Sequence, residues 1–171
     1  PTRKAQMATR PTDRRWNDLI LKLVEMGRLG QKSGQGWYRY EAGDRRPQRD
    51  PELEAWIVAE SARMGIQRRP IGEEEILERC LYGMVNEGAR LLEHGIALRP
   101  SDIDIVYLTG YGFPAAQGGP MAMADRIGLP KVLAAIRRLH AEHGFWWQPA
   151  PLLEQLVAEG RSFADLQRAG G

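Results

Sequence analysis

Side chains suited to catalysis or ligand binding are few in these 171 residues, and their spacings argue against a reaction centre. The run Gly27 to Ser33 sets glycines ahead of Lys32-Ser33, the ingredients of a phosphate cradle. Such a loop needs four residues between its glycines and a terminal Gly-Lys-Ser or Gly-Lys-Thr, so that successive backbone N–H groups ring the phosphates. Here two residues separate Gly27 from Gly30, Gln31 precedes Lys32, and no apolar strand leads in. Gly34-Gln35-Gly36 lacks the third glycine and the flanking strand and helix of a dinucleotide fingerprint. No cofactor-binding residue is therefore assigned.

His140 and His143 have a spacing that can put two imidazoles on one helical face for a metal, but no third ligand accompanies them. In a last helical turn they serve the carbonyl end of the helix, and His94, ahead of Gly95, reads the same way. No metal ligand is assigned. Cys80, the single cysteine, stands among Ile76, Leu77, Leu81 and Met84 at helical spacing, so a buried structural thiol is expected. No neighbouring base would supply a thiolate. One cysteine permits no intrachain disulfide, and a reducing, cytoplasmic compartment fits. Glu73, Glu74 and Glu75 suit the positive end of a helix, and Asp102 and Asp104 suit caps. Tyr107, Tyr111, Phe113, Trp146 and Trp147 read as seals at the edge of a core. No catalytic residue is assigned.

The elements that would carry these residues are helices. One is predicted from near Asp13 to Gly27, with Leu19, Ile20, Leu23 and Val24 on one face. Glycines and aromatics from Gly27 to Tyr40 forbid a helix, and residues 41–50 read as a linker. Asp50 and Pro51 then open a helix that Gly65 stops. The longest helix is predicted from Glu73 to His94, with Leu77, Leu81, Met84, Val85, Gly88, Leu91 and Leu92 as its stripe and close neighbours at Gly83 and Gly88. Ser101 opens the next in capping-box style, with Asp104 at the third position, and it ends by Gly110. Tyr111-Gly112-Phe113-Pro114 makes a rigid turn, and helices follow over Pro120–Ile127, Pro130–His143, Leu152–Glu159 and from Ser162. With almost no strand signal, the class is all-α.

Composition bounds the rest. Apolar residues make up 43% of the chain, an ordinary globular share. No run approaches the roughly 20 apolar residues of a membrane helix, and no secretion signal opens the chain. It starts at Pro1 and reads as a piece of something longer; its end, Ala169-Gly170-Gly171, is not a peroxisomal address. Residues 1–49 hold twelve Lys/Arg against five Asp/Glu, and residues 50–171 twelve against seventeen. That asymmetry describes either two halves that attract or a basic-arm helical nucleic-acid-binding module. No helix-turn-helix, zinc or aromatic-platform pattern supports the second reading, so no nucleic acid and no membrane are expected as partners.

An ordered set of short motifs resembles one family. Arg28-Leu29-Gly30-Gln31-Lys32-Ser33-Gly34-Gln35-Gly36-Trp37-Tyr38-Arg39-Tyr40, Met84-Val85-Asn86-Glu87-Gly88-Ala89, Pro100 to Asp104, Gly110 to Pro114, Gly118-Gly119-Pro120-Met121 and Ala124 to Gly128 are similar to the helical C-terminal region of 3-hydroxyacyl-CoA dehydrogenases. The resemblance covers about residues 14–165 and implies a helical bundle similar to the C-terminal domains of 6-phosphogluconate and 3-hydroxyacyl-CoA dehydrogenases. In large multifunctional β-oxidation proteins of this kind, a NAD-binding Rossmann domain precedes two helical copies. Residues 1–49 look like the tail of the first copy and residues 50–171 like the second. The implied partners are the Rossmann domain and first helical copy of the parent chain, with NAD as the parent's cofactor and an acyl-CoA as its substrate.

Active copies of the family open the long helix with an Asn-Arg pair whose amide takes part in the active site. This chain reads Glu78-Arg79 there. An ionised carboxylate donates no hydrogen bond and cannot replace that amide. The resemblance thus implies an inactive second copy that braces the first. An apolar surface on residues 14–40 and self-association of the piece are expected with it.

Overall fold

The computed structural model describes residues 19–169, as two compact units that divide between Pro70 and Ile71. The helix start expected near Asp13 lies outside the described residues.

The first unit holds α1 (Leu19–Glu25) and α2 (Pro51–Arg63). Among the described residues of this unit, Leu23 and Leu53, each 3% exposed, are buried apolar side chains. Charge pairs join its segments. Arg28 bonds to Asp50, Lys22 bonds to Glu60, and Arg39 lies 3.4 Å from Asp50 and 2.9 Å from Glu52. Asp50 also caps α2 by accepting from the Leu53 N–H at 3.2 Å, with Pro51 in the first turn as expected. Because Asp50 and Glu60 bond back to the first segment, α2 belongs structurally with it. The compact division accordingly follows Pro70, although the boundary between copies is expected after Arg49.

Residues 27–48 fold on themselves. A single 3-10 turn spans Gln31–Ser33, and isolated antiparallel bridges join Gly30 to Gln35, Gln35 to Arg39 and Arg39 to Gln48. The glycines serve this crossing: a Cβ on Gly36 would lie 2.8 Å from the Gly30 Cα. The expected apolar surface is present among the described residues of this segment, where Ile20, Val24, Met26, Leu29, Trp37 and Tyr38 are exposed.

The second unit packs six helices: α3 (Glu73–Glu93), α4 (Pro100–Gly110), α5 (Pro120–Ile127), α6 (Leu129–His143), α7 (Pro151–Ala158) and α8 (Phe163–Ala169). Its core gathers Val85, Ala89, Met121, Ala124, Val132, Ile136, Leu153, Leu156 and Phe163. The all-α class holds among the described residues, where the only strand-like pairings are those isolated bridges.

The buried face of α3 keeps most of the expected stripe, with Val85 and Gly88 buried and Leu81, Leu91 and Leu92 packed against the core, but departs from it at its first turns. Tyr82, Val85, Asn86, Gly88 and Ala89 are buried, whereas Leu77 is 58% exposed and Cys80 is exposed too, not the buried thiol expected. In the first two turns of α3, Glu78 and Arg79 face α6, while Ile76, Leu77 and Cys80 lie on the exposed side. Gly88 meets the expectation of close approach, since a Cβ there would sit 2.7 Å from the Met121 Sδ. Gly83 does not require it: the Trp147 ring lies at an ordinary 3.7 Å from the place of a Cβ.

Candidate functional site

The resemblance expects an amide at the head of α3, and Glu78 stands there. Glu78 accepts from the Arg138 Nη2 of α6 at 2.8 Å. The Glu78 side chain is 17% exposed and that of Arg138 53% exposed. Its neighbour Arg79 donates to Glu75 at 2.8 Å and to the His143 Nε2 at 2.8 Å. Glu78 thus joins two helices of the same unit, with its charge already answered. An ionised carboxylate accepts hydrogen bonds and donates none.

The sequence-selected histidines fall into the same framework. His140 Nδ1 donates to the Gly144 carbonyl at 3.1 Å, the helix-end role expected of it. The His143 ring takes the Arg79 hydrogen bond. Among the described residues no group of three His, Cys, Asp or Glu is disposed to hold a metal.

Two capping clasps, neither visible in the sequence, position the remaining polar groups. Asn86, 3% exposed, donates from Nδ2 to the Gln148 carbonyl at 2.8 Å and accepts at Oδ1 from the Ala150 N–H at 2.8 Å. It therefore fixes the chain that enters α7 onto the middle of α3. Asp104 was expected in a box at its own helix. Instead Asp102 accepts from the Arg99 N–H at 2.9 Å there, and Pro100 occupies the first turn. Asp104 reaches across to cap α5, accepting from Met121 N–H at 2.7 Å and Ala122 N–H at 3.1 Å. Burial pushes its carboxyl above the ordinary range, against the pull of those two N–H groups, and nearby Asp125 adds to the rise. Asp125 in turn caps α8 through the Phe163 and Ala164 N–H groups, both at 2.9 Å. Gly119 makes the Asp104 clasp feasible: its φ is +101°, and a Cβ would stand 2.4 Å from Asp104.

The glycine-rich segment of the first unit is held by its own side chains. Arg28, 9% exposed, fills the turn, donating to the Gly36 carbonyl at 3.0 Å and to Gln35 at 3.1 Å besides bonding Asp50. Ser33 Oγ accepts from Leu29 N–H at 2.9 Å and bonds to the Gln35 carbonyl at 2.8 Å. These groups complete a local fold. Among the described residues of the basic arm, Arg46 pairs with Asp44 and Arg49 with Glu54. Tyr107 sits 5.4 Å from Tyr111 and 6.3 Å from Phe113, ring centre to ring centre, an aromatic seal at the end of α4.

A shallow hollow of about 360 Å³ in the second unit is bordered by Asp125, Leu129, Val157, Arg161, Ser162 and Asp165. Its acids are engaged: Asp125 caps α8, and Asp165 accepts from both the Ser162 N–H and hydroxyl at 2.9 Å. No nucleophile–base pair converges on it.

Comparison with known proteins agrees with this geometry. The chain is 45% identical over 143 residues to the peroxisomal bifunctional enzyme of Danio rerio, a match covering 81% of this chain and 20% of that protein. It is 39% identical over 173 residues to the peroxisomal bifunctional enzyme of Homo sapiens, covering 93% of this chain and 24% of the relative. A fatty acid oxidation complex subunit alpha from Shewanella is 32% identical over 143 residues, covering 83% of this chain and 20% of that subunit. The chain thus spans only a fifth to a quarter of the length of these relatives. Among solved structures, the dehydrogenase part of multifunctional enzyme 1 from C. elegans superposes with a TM-score of 0.62 at 26% identity, over 90% of this chain and 35% of that one. Residues 76–167, most of the second unit, match the family described as 3-hydroxyacyl-CoA dehydrogenase, C-terminal domain, and the chain belongs to that family.

Proposed function

We propose that this chain is the C-terminal accessory portion of a NAD-dependent 3-hydroxyacyl-CoA dehydrogenase of fatty-acid β-oxidation. The parent enzyme oxidises a 3-hydroxyacyl-CoA to a 3-ketoacyl-CoA and passes a hydride to NAD. This chain binds no cofactor and supplies no reacting group. It braces the parent's first helical copy and positions the NAD-binding domain, which holds the acyl-CoA cleft in reactive geometry. Residues 1–49 are the end of the first copy and residues 50–171 the second copy, and tethering raises their effective concentration to roughly millimolar.

One observation carries the reading: Glu78, where an active copy has an amide, is committed to Arg138. The second unit keeps the family's packing and lacks its hydrogen-bond donor. The names of the Danio rerio and Homo sapiens relatives place those proteins in peroxisomes. For this chain we propose a reducing, cytoplasmic compartment, which leaves the exposed Cys80 a free thiol. The test is reconstitution. The upstream remainder of the parent, holding the Rossmann domain and the start of the first copy, is assayed with and without this chain. A rise in kcat on addition supports bracing, and an unchanged rate refutes it.

A further inference from the structure

The chain that leaves α2 is built to stay extended. The helix ends at Met64, and Gly65 turns the backbone away at φ +68°. Pro70 brings no N–H and disfavours helical dihedrals at Arg69. Gly72, extended at φ −73° and ψ 159°, then leads into α3. Residues 67–74 are all exposed, and Ile71 is 47% exposed despite its apolar side chain. Among the described residues, the backbone bond before this stretch runs from the Ile66 N–H to the Ser61 carbonyl at 2.9 Å, and the one after it from the Ile76 N–H to the Gly72 carbonyl at 3.1 Å. Irregular, exposed chain at the edge of a compact unit is where proteolytic nicking concentrates.

We propose that this stretch is a processing site, cut between Arg68 and Arg69 by a serine protease whose acidic pocket selects arginine. The step is a hydrolysis. Water adds its hydroxyl to the Arg68 carbonyl carbon, the bond to the Arg69 nitrogen breaks, Arg68 ends as a carboxylate and Arg69 begins with an amine. The Arg68 guanidinium is easily drawn into such a pocket. It lies a long 3.4 Å from the Ser61 Oγ, whose own proton goes to the Ile57 carbonyl at 2.7 Å. A carboxylate at the base of the pocket offers a stronger, charge-assisted bond. The next bond, Arg69–Pro70, is shielded by the proline ring on its departing nitrogen. Arg45-Arg46 is also exposed, but its bond is held on both sides. The Arg45 carbonyl accepts from the Gln31 amide at 3.3 Å, and the Arg46 N–H donates to Asp44 at 2.9 Å. Arg39 and Gln48 close that loop with two backbone bonds, at 2.9 and 3.0 Å. Arginines inside helices need local unfolding before a protease cleft can seat them. Cleavage separates residues 1–68 from residues 69–171. Its consequence for the parent enzyme, loss of the tethered brace, rests on the accessory reading above; the cut itself does not.

The test is brief digestion of the intact 171-residue chain with dilute trypsin, the products being weighed by mass spectrometry. Among cuts within residues 19–169, the earliest is expected to give a piece that begins at Arg69. Arg68→Gln should slow the formation of that piece at least about tenfold, because the pocket loses its cation and the following bond is shielded. Adding Pro70→Ala to Arg68→Gln should restore cleavage one bond later, with a piece that begins at position 70. Both substituted positions are exposed, so the melting temperatures should stay within a few degrees of the parent chain. An earliest cut at Arg45 or inside a helix overturns the proposal, as does a double variant that stays as resistant as Arg68→Gln. Failure of the reconstitution assay would sink the accessory reading and leave the cut standing, and an uncut Arg68–Arg69 bond would sink the processing site and leave the brace standing.

Discussion

At the residue scale, short polar side chains that join helices decide more than the acidic and basic clusters do. Asn86 accepts from the buried Ala150 N–H and donates to the Gln148 carbonyl, which Arg90 also serves, so Asn86→Ala should cost about 1–3 kcal/mol, chiefly through the stranded Ala150 N–H. Chemical denaturation checks it, and a loss below about 1 kcal/mol would contradict the clasp. Asp104 makes a prediction with a sign. Its folded carboxyl sits above its unfolded value, so the folded state holds the proton to higher pH. Its contribution is full below the ordinary carboxylate range and declines as pH rises through the shifted value. Asp104→Asn should remove that decline from a pH series of unfolding curves, leaving a shallower slope just above the carboxylate range. Gly119→Ala meets both a left-handed backbone and the Asp104 side chain, and should destabilise more than Gly88→Ala, whose Cβ presses on the end of the buried Met121. Equal losses in the two would contradict the Asp104 clasp. Neither clasp was legible in the sequence. Asn86 meets Gln148 and Ala150 more than sixty positions away, and Asp104 seemed sufficiently explained by its own helix.

At the element scale, the helix boundaries were legible because their punctuation is local. Asp50-Pro51 starts α2, Gly65 at φ +68° follows its end, Pro120 opens α5 and Gly144 at φ +74° closes α6. Which face each helix buries was less so. Leu77 and Cys80 continue the apolar period of α3 but lie on its exposed side, a tertiary fact that periodicity cannot carry. The α1–α2 element pair depends on charge. The Arg63 and Lys22 partners hold the Glu60 carboxyl down to about 2, and Arg28 holds Asp50 low. Carboxylates depressed in the folded state stabilise it fully above about 4.5 and lose that effect as pH falls toward 2. Amide exchange, corrected for intrinsic rates, should show α2 opening more at pH about 3 than at about 5. Glu60→Gln should flatten the difference, and an α2 equally protected at both values would refute the charge account. At the head of α3, Glu78→Gln weakens a pair whose arginine is largely in water, so the loss should be at most about 1 kcal/mol.

At the scale of the whole molecule, the sequence carried its family better than its architecture. The motifs from Arg28 to Gly128 have fixed order and chemistry, so they were readable without a fold. The partition into units was not, because it rests on Asp50 and Glu60 bonding back across a segment that reads as a linker. The account's central claim is that these helices supply shape and contact without a reaction centre. It is tested most directly by incubating the purified chain with NAD and a 3-hydroxyacyl-CoA and following NADH. No NADH above the enzyme-free rate is predicted, at any chain concentration. Saturable NADH formation that scales with the chain and is abolished by Glu78→Ala would contradict it.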